Sequence, residues 1–369
     1  MLYVLTNIIE RRGIPSSAEG ISRIIWHRRT PSVVADQSPN ADQRPNGGTA
    51  NLEESVADHV TTLLRVEAFA PERSWTVEEI AEANGLNRNQ ARMFRRIRGL
   101  DRIHLDPDLD LFDLLAAPAE MILRSVPDPG RIRYLIYAHT FPDLTPSYVF
   151  AADRLRERLG LSEADAFAVT HQMCASNLAA LDVAGELLRA DGDSTAQALV
   201  ITGEKPFTGL VRYMLNVSVT GEGSAACLLG IDGPGSRILS YAARTAGEFA
   251  DGFRMTVERQ REFDDTYNVY LWEMIEEALR RADLDISDIA MVVPHNVNRT
   301  LWLRLCAKVG LDRNKVFLDN ISRYSHTYCS DPFLNLATMR DRNLLVPGER
   351  YLLTSVGVGA TYAAMVLEY

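Results

Sequence analysis

The chain has 369 residues, of which 46% are hydrophobic and 24% charged, and this length favours two domains or one duplicated domain. A formal net charge of −10 argues against nonspecific nucleic-acid binding, and no apolar run approaches the roughly 20 residues that cross a bilayer. The four cysteines, Cys174, Cys227, Cys306 and Cys329, form no Cys-x-x-Cys pair, which argues against a disulfide framework and against a zinc site.

The N-terminal segment differs in composition from the rest of the chain. It lacks the basic start and the cleavable apolar core of a signal peptide, so we expect a cytoplasmic protein. Residues 31–58 are rich in Pro, Asn and Gly and cannot bury enough apolar surface to fold. We therefore predict a largely flexible extension over residues 1–58, followed by the globular body.

The globular body is predicted to begin with a strand over Thr61–Ala70. The stretch Trp75–Arg98 then indicates a helix, a turn and a second helix. Thr76 is a candidate N-cap of the first helix, and Gly85 is a candidate break between the two helices.

The second of these helices is rich in arginine, with Arg92, Arg95, Arg96 and Arg98. Read as a DNA-binding helix-turn-helix, these side chains would face phosphate. The acidic chain and the large enzyme-like body that follows argue against that interpretation. Two alternatives stay open: contact with the anionic phosphopantetheine of CoA or of a carrier protein, and a solvated helix face.

Helices alternate with short strands rich in Val, Ile and Leu from Asp113 onward, which predicts an α/β layered fold with buried sheets. Pro118 is expected in the first turn of its helix, where proline is tolerated. The predicted helices of the first half are Ala117–Val126, Tyr148–Leu159 and Leu178–Arg189, and the predicted strands are Arg133–Ala138, Ala166–Thr170 and Gln197–Thr202. A glycine-punctuated turn at Gly221–Gly223 leads into a further apolar strand.

The second half repeats this order of elements. Its predicted helices are Tyr267–Arg281, Arg299–Val309 and Asp331–Asp341, and its predicted strands are Ile289–Pro294, Val316–Leu318, Tyr351–Val356 and Tyr362–Tyr369. In both halves a strand ends at a reactive type of side chain and a helix follows, which suggests an internal duplication without a clean sequence repeat.

Cys174 follows an apolar run and opens a helical pattern. Unpaired N–H groups and the helix dipole at such a position favour thiolate over thiol, and the same amides can hold an oxyanion. The alternative is a buried structural cysteine, as most free cysteines are.

Three pieces of sequence lie in a distinctive order: Cys174, then Pro-His-Asn-Val-Asn at Pro294–Asn298, then His326 within Ser325–Tyr328. A glycine-rich turn closes the chain at Ser355–Tyr362, and Gly-Glu-Gly-Ser-Ala-Ala precedes the apolar strand near residue 224. In this order the chain resembles the type III ketoacyl-ACP synthases of the thiolase-like superfamily. Their corresponding motifs are a nucleophilic cysteine, Pro-His-Gln-Ala-Asn, Gly-Asn-Thr-Ser, a glycine-rich C-terminal turn and Gly-Asp-Gly-Ala-Gly-Ala.

The resemblance covers roughly residues 60–369 and implies a thiolase-like five-layered α/β/α/β/α fold built from two similar halves. Residues 59–235 are expected to form the half that carries the nucleophile, and residues 236–369 the half that carries the two histidines. The resemblance also implies a homodimer.

By the same resemblance, Cys174 is acylated, and His295 and its partner bind the thioester carbonyl of a second substrate. The family's Gly-Asn-Thr-Ser becomes Ser325–Tyr328, so His326 occupies the position of the usual asparagine. A neutral imidazole can donate one N–H in its place, or His326 can serve as a base for a hydroxyl or amine acceptor. Spacing does not decide whether Asp331 pairs with His326 or with solvent.

Supporting roles follow from the resemblance as well. The amides of Cys174 and of Val358, between Gly357 and Gly359, are expected to form the oxyanion hole. Asn298 is expected to orient its motif by hydrogen bonding. The side chains expected to contact CoA or carrier protein are Arg95, Arg96, Arg98 and Arg299.

The expected activity is acyl transfer through Cys174, from CoA or acyl carrier protein to a malonyl thioester by decarboxylative Claisen condensation, as in fatty acid or polyketide biosynthesis. One alternative is an O- or N-acyltransferase of specialised metabolism that acts on a natural-product hydroxyl or amine. Another is a non-catalytic partner subunit that binds acyl carrier protein. No metal or redox cofactor is expected.

Overall fold

The computed structural model describes residues 59–83, 87–214 and 217–369. The predicted extension over residues 1–58 and the predicted helix break at Gly85 lie outside the described residues. In the part of the chain that is described, no helix combines the length and the apolar character that crossing a bilayer requires.

The described residues alternate between strands and helices as predicted. The strands are β1 Thr61–Phe69, β2 Ser74–Thr76, β3 Arg102–His104, β4 Ile132–Ala138, β5 Asp165–Val169, β6 Gln197–Glu204, β7 Gly223–Ile231, β8 Ser236–Thr245, β9 Ile289–Val293, β10 Arg350–Gly357 and β11 Thr361–Glu368. The helices are α1 Val77–Ala83, α2 Arg88–Arg92, α3 Leu111–Leu123, α4 Ala151–Arg158, α5 Ser176–Asp191, α6 Gly209–Arg212, α7 Val257–Arg281, α8 Arg299–Val309, α9 Asp319–Tyr324 and α10 Asp331–Asp341.

The main sheet has the strand order β5-β4-β6-β7-β1-β8-β11-β10-β9. The two halves of this sheet repeat each other from the middle outward. In one half, β1 is antiparallel to β7, β7 is antiparallel to β6, and β6 is parallel to β4. In the other half, β8 is antiparallel to β11, β11 is antiparallel to β10, and β10 is parallel to β9. The two sides join through only two residue pairs between β1 and β8. This repeated topology is the internal duplication that the sequence suggested, whereas the division of the chain at residue 235 stays a prediction.

Three apolar clusters separate five layers of secondary structure. Helices α5 and α10 form the central layer and pack against strands from both halves of the sheet. The outer layers are α3 with α4 on one side and α7 with α8 on the other. Strand residues alternate between clusters, as the strand period requires: in β6, Ala198 and Val200 face the central layer while Leu199 and Ile201 face the outer one.

Several predicted elements differ from the structure. The predicted strand Val316–Leu318 is reduced to one parallel bridge, between Val316 and Val292. Strand β8 is absent from the prediction, because serine and arginine interrupt its apolar residues and much of it is only half buried. Helices α4 and α7 begin at Ala151 and Val257 rather than at the predicted Tyr148 and Tyr267. The predicted bounds of α8 and α10 match the structure.

The largest local error concerns Pro118, which lies in the interior of α3 rather than in its first turn. The helix begins earlier because Asp110 caps it, its carboxylate accepting the Phe112 N–H at 2.7 Å. Proline cannot donate to the Leu114 carbonyl one turn back. The Ser224 hydroxyl of β7 donates to that carbonyl at 2.6 Å instead, so a tertiary contact makes the proline tolerable.

We predict that Ser224→Ala lowers the free energy of unfolding by about 1–3 kcal/mol, because the buried Leu114 carbonyl loses its donor. In a Pro118→Ala background the same change is expected to cost much less, because the introduced alanine then supplies the helical N–H. Chemical denaturation of the four variants of this double-mutant cycle measures the coupling. A coupling near zero would contradict this account of the proline.

Candidate active site

Cys174 lies in a tight turn, Met173–Ala175, that leads directly into α5. Met173 has a φ of 52°, and backbone strain of this kind persists only where the surroundings hold it in place. The Ser355 hydroxyl of β10 donates to the Cys174 carbonyl at 2.9 Å. The turn that carries the thiol is therefore held by a strand from the other half of the sheet.

Gly357 lets β10 come this close. A Cβ atom at Gly357 would lie 2.0 Å from the carbonyl oxygen of Gln172, which precedes the turn. Val358, the next residue, lines the same cavity as Cys174. The structure thus places the predicted oxyanion segment beside the thiol, while the assigned roles of Gly357, Val358 and Gly359 stay predictions.

His326 is positioned by the glycine-punctuated turn that precedes β7. Its N–H donates to the Val219 carbonyl at 3.3 Å, and its carbonyl accepts the Gly221 N–H at 2.9 Å. A Cβ at Gly223 would come within 3.0 Å of Thr327. The glycines of this motif therefore allow the histidine segment to pack against the turn.

The side chains of Cys174, His326 and Asp331 form one line of contacts. Cys174 Sγ lies 3.6 Å from His326 Nε2. His326 Nδ1 lies 2.5 Å from Asp331 Oδ2, and the His326 and Asp331 side chains are both fully buried. Because a carboxylate only accepts hydrogen bonds, Nδ1 of His326 carries a proton toward Asp331, and Nε2 is turned toward the thiol.

The Asp331 carboxylate accepts four hydrogen bonds. Oδ2 accepts from His326 Nδ1 and from the Asn296 N–H, each at 2.5 Å. Oδ1 accepts from the N–H and the hydroxyl of Thr327, each at 2.7 Å. This set of donors compensates a charge that burial alone would make costly. The partner of Asp331, which spacing left open, is His326.

The electrostatics of His326 follow from this arrangement. Burial by itself lowers its pKa, but the charge and hydrogen bond of Asp331, with a smaller contribution from Cys174, raise the pKa to about 10. Near neutral pH the imidazole therefore keeps a proton. A histidine held in this state stabilises a neighbouring thiolate and can pass the proton to a leaving group.

His295, the histidine of Pro294–Asn298, is only 1% exposed. Its Nε2 lies 2.7 Å from the hydroxyl of Tyr267 on α7. Burial, and to a lesser degree the charge of His326, lowers its pKa to about 3, so the ring is neutral. Tyr267 lines the cavity beside Cys174, and His295 does not. Its expected contact with a thioester carbonyl stays a prediction.

A cavity of about 120 Å³ adjoins Cys174 and His326 and also touches Arg98 and Arg304. Arg98 Nε is buried and has no hydrogen-bond partner among the described residues. Burial and the charge of Arg304 lower the pKa of Arg98. The Asp264 carboxylate, which lines the same cavity, offsets part of this repulsion. An anion beside Arg98 and Arg304 would offset more of it, so the two guanidinium groups form a candidate anion site.

The other arginines of the sequence prediction are placed differently. Arg95 forms ion pairs with Glu78 at 3.1 Å and with Asp101 at 2.6 Å. Arg96 and Arg299 are exposed, and neither lines the cavity. The backbone N–H of Arg299 donates to the Arg98 carbonyl at 2.8 Å. The start of α8 is therefore hydrogen-bonded to the end of the Trp75–Arg98 stretch.

Asn298 makes two side-chain hydrogen bonds, and its orienting role stays a prediction. Its Oδ1 accepts the Leu301 N–H at 3.0 Å and so caps α8. Its Nδ2 donates to the Val217 carbonyl at 3.1 Å. The end of the Pro294–Asn298 motif is thereby fixed between α8 and the loop that follows α6.

Three residues near the thiol were missed by sequence reasoning: Thr140, Glu204 and Tyr267. The Thr140 hydroxyl lies 3.7 Å from Cys174 Sγ, and the Thr140 N–H donates to Glu204 at 2.6 Å. Burial raises the pKa of Glu204 to about 7. A glutamate that ends an apolar strand was a visible signal for Glu204, whereas nothing local marks Thr140 or Tyr267.

Comparison with known proteins relates this site to a family. The family model for the C-terminal part of 3-oxoacyl-(acyl-carrier-protein) synthase III matches residues 279–369. A β-ketoacyl-(acyl-carrier-protein) synthase III of Clostridium tetani is 24% identical over 273 residues, which are 65% of this chain and 78% of that protein. One from Streptomyces coelicolor is 27% identical over 285 residues, 70% of this chain and 82% of that protein.

Solved structures share the fold. The acyltransferase ChlB3 has a TM-score of 0.74 and 20% identity, with 84% of this chain and 97% of that chain covered. The 3-oxoacyl-(acyl carrier protein) synthase III of Pseudomonas aeruginosa has a TM-score of 0.71 and 20% identity, with 84% and 98% covered. OleA of Xanthomonas campestris, solved with lauric acid and lauroyl-CoA, has a TM-score of 0.71 and 16% identity, with 84% and 99% covered.

We predict that Asp331→Asn lowers the rate of Cys174 alkylation by iodoacetamide at pH 7 about tenfold or more, since the protonated fraction of His326 falls about tenfold for each unit by which its pKa drops below the pH. Without the carboxylate, burial dominates and the pKa of His326 falls, so the imidazolium partner of the thiolate is lost. Peptide mass spectrometry over pH 5–10 measures the rate at Cys174 alone. A wild-type rate and pH profile in Asp331→Asn would contradict this role of Asp331.

Proposed function

Because the chain belongs to the β-ketoacyl-(acyl-carrier-protein) synthase III family of thiolase-like enzymes, we propose that it is an acyltransferase that works through Cys174. The thiol takes an acyl group from CoA or an acyl carrier protein and passes it to a hydroxyl or amine.

The contact line from Cys174 through His326 to Asp331 carries the proposal. The thiolate attacks the donor thioester, the donor's C–S bond breaks, and His326 gives its proton to the leaving thiol. Neutral His326 then takes a proton from the acceptor hydroxyl or amine as that group attacks the acyl-enzyme. The bond between the acyl carbon and Cys174 Sγ breaks, which restores the starting thiolate and imidazolium. A base oriented by a buried carboxylate suits this double proton transfer.

The surroundings of the thiol support the rest of the cycle. The amides of Cys174 and Val358 would bind the oxyanion of each tetrahedral intermediate. An apolar cluster of Phe141, Val211, Met214 and Tyr328 packs around Cys174, which favours an apolar acyl group. The small cavity, about 120 Å³, favours a short one.

A second candidate is decarboxylative condensation with a malonyl thioester. The relatives named as ketoacyl synthases favour it, and His326 has an N–H that can bind an enolate oxygen. The position of His295 favours acyl transfer instead, because Tyr267 occupies the Nε2 atom that would be the second donor. A homodimer, a cytoplasmic location and a pathway in lipid, polyketide or other specialised metabolism stay predictions.

We predict that wild-type protein gains the mass of an acyl group when it is incubated with short-chain acyl-CoA or acyl carrier protein, and that Cys174→Ala does not. Amine and alcohol acceptors are expected to discharge the acyl-enzyme with formation of amide or ester, and malonyl-CoA is not. Intact-protein and product mass spectrometry follow both steps.

The outcomes of this experiment separate the candidates. Discharge by malonyl-CoA with release of CO₂ would show condensation. Absence of loading by any donor, while a control synthase loads, would contradict the enzyme proposal and favour the partner-subunit alternative.

We predict that Arg98→Ala raises the KM for acyl-CoA about tenfold with little change in kcat, since one charge-assisted contact to phosphate contributes about 1.5–3 kcal/mol to binding. Arg96→Ala is the matched control, because Arg96 lies in the helical segment Met93–Ile97 that Arg98 ends, is exposed and does not line the cavity. Steady-state kinetics of both variants test the assignment. Equal effects of the two substitutions would contradict an anion site at Arg98.

A further inference from the structure

Tyr267 stands between His295 and the space beside the nucleophile. Its hydroxyl is hydrogen-bonded to His295 Nε2 at 2.7 Å, and its side chain lines the cavity that Cys174 and His326 share. His295 is buried behind it at 1% exposure. Any substrate in the cavity therefore meets the tyrosine where a reactive histidine nitrogen would otherwise be.

Packing holds the tyrosine ring in this position. The ring lies edge-on to Phe263 at 5.7 Å and to Tyr362 at 5.9 Å between centroids. His295 is held in turn by Trp302, whose ring is 6.1 Å away and nearly perpendicular. These aromatic contacts restrict the rotamers of both side chains and so support the hydrogen bond between them.

The chemistry of the two candidate reactions differs at this point. In decarboxylative condensation the bond between the carboxyl carbon and the α-carbon of a malonyl thioester breaks, CO₂ leaves, and the electron pair becomes an enolate whose charge lies on the thioester oxygen. Two converging N–H donors stabilise that oxygen well. Acyl transfer to a hydroxyl or amine develops no such enolate and needs a single proton carrier.

We propose that Tyr267 is the specificity-determining residue that excludes decarboxylative condensation, because it occupies His295 Nε2 and leaves His326 as the one imidazole that reaches the substrate. This inference rests on the proposed function, acyl transfer to a hydroxyl or amine. On this inference, Tyr267 of α7 determines whether Cys174 supports acyl transfer or decarboxylative condensation.

The test measures release of CO₂ from malonyl-CoA, with and without an acyl donor, by wild type, Tyr267→Phe and Tyr267→Ala. Wild type is expected to show little release. Tyr267→Phe frees His295 Nε2 and is expected to raise the rate about hundredfold to thousandfold, the range that one oxyanion donor contributes. Tyr267→Ala covers the case in which the phenylalanine ring still blocks access.

A matched pair of variants ties any gain to the histidine. His295→Ala combined with Tyr267→Phe, and with Tyr267→Ala, is expected to return the rate to the wild-type level. If Tyr267 had only a structural role, the single variants would lose activity and would not gain release of CO₂ from malonyl-CoA. Circular dichroism and thermal unfolding confirm that each variant is folded.

The results distinguish this inference from the proposed function. Efficient CO₂ release by wild type would overturn both, because condensation would then be the native reaction. Acyl transfer by wild type together with unchanged CO₂ release in folded Tyr267→Phe and Tyr267→Ala would overturn the role of Tyr267 alone. A gain that survives the loss of His295 would overturn it as well.

Discussion

The buried carboxylate of Asp331 is the interaction on which the rest of the site depends. Its charge is compensated by four hydrogen bonds, from His326, the Asn296 N–H and both donors of Thr327. A buried charge is stable only with such a set of partners. Asp331 therefore holds the segment that contains His295 and the segment that contains His326 close together. The orientation of His326 toward Cys174 follows from that compensation.

The duplicated topology explains where this point lies. Helices α5 and α10 form the central layer, and each follows a short turn that contains a residue with positive φ, Met173 in one turn and Tyr328 in the other. Cys174 and Cys329 occupy equivalent places in the two turns, and both thiols contact the Thr140 hydroxyl. Among the described residues, only Cys174 of these two thiols faces a histidine nitrogen, so the histidine partner rather than the turn distinguishes Cys174 from Cys329.

Packing around the second histidine, His295, changes what its motif contributes to the site. Pro294–Asn298 supplies His295, but Tyr267 and Trp302 enclose the ring and keep it neutral. The motif still contributes to the site through its backbone, because the Asn296 N–H binds Asp331, and through Asn298, which caps α8. A family motif is thus retained while one of its side chains is withdrawn from the cavity.

The sequence by itself determined the α/β class, the family resemblance and the order of the elements, because apolar periodicity, helix caps and short motifs are local properties of the chain. It also singled out Cys174 and His326, which the structure places 3.6 Å apart. It misplaced Pro118, because the hydroxyl of Ser224 that tolerates it comes from another strand. It left the partner of Asp331 open and missed Tyr267 and Thr140. Those contacts depend on how the chain folds in three dimensions, and most join residues far apart in sequence, so only the tertiary structure could decide them.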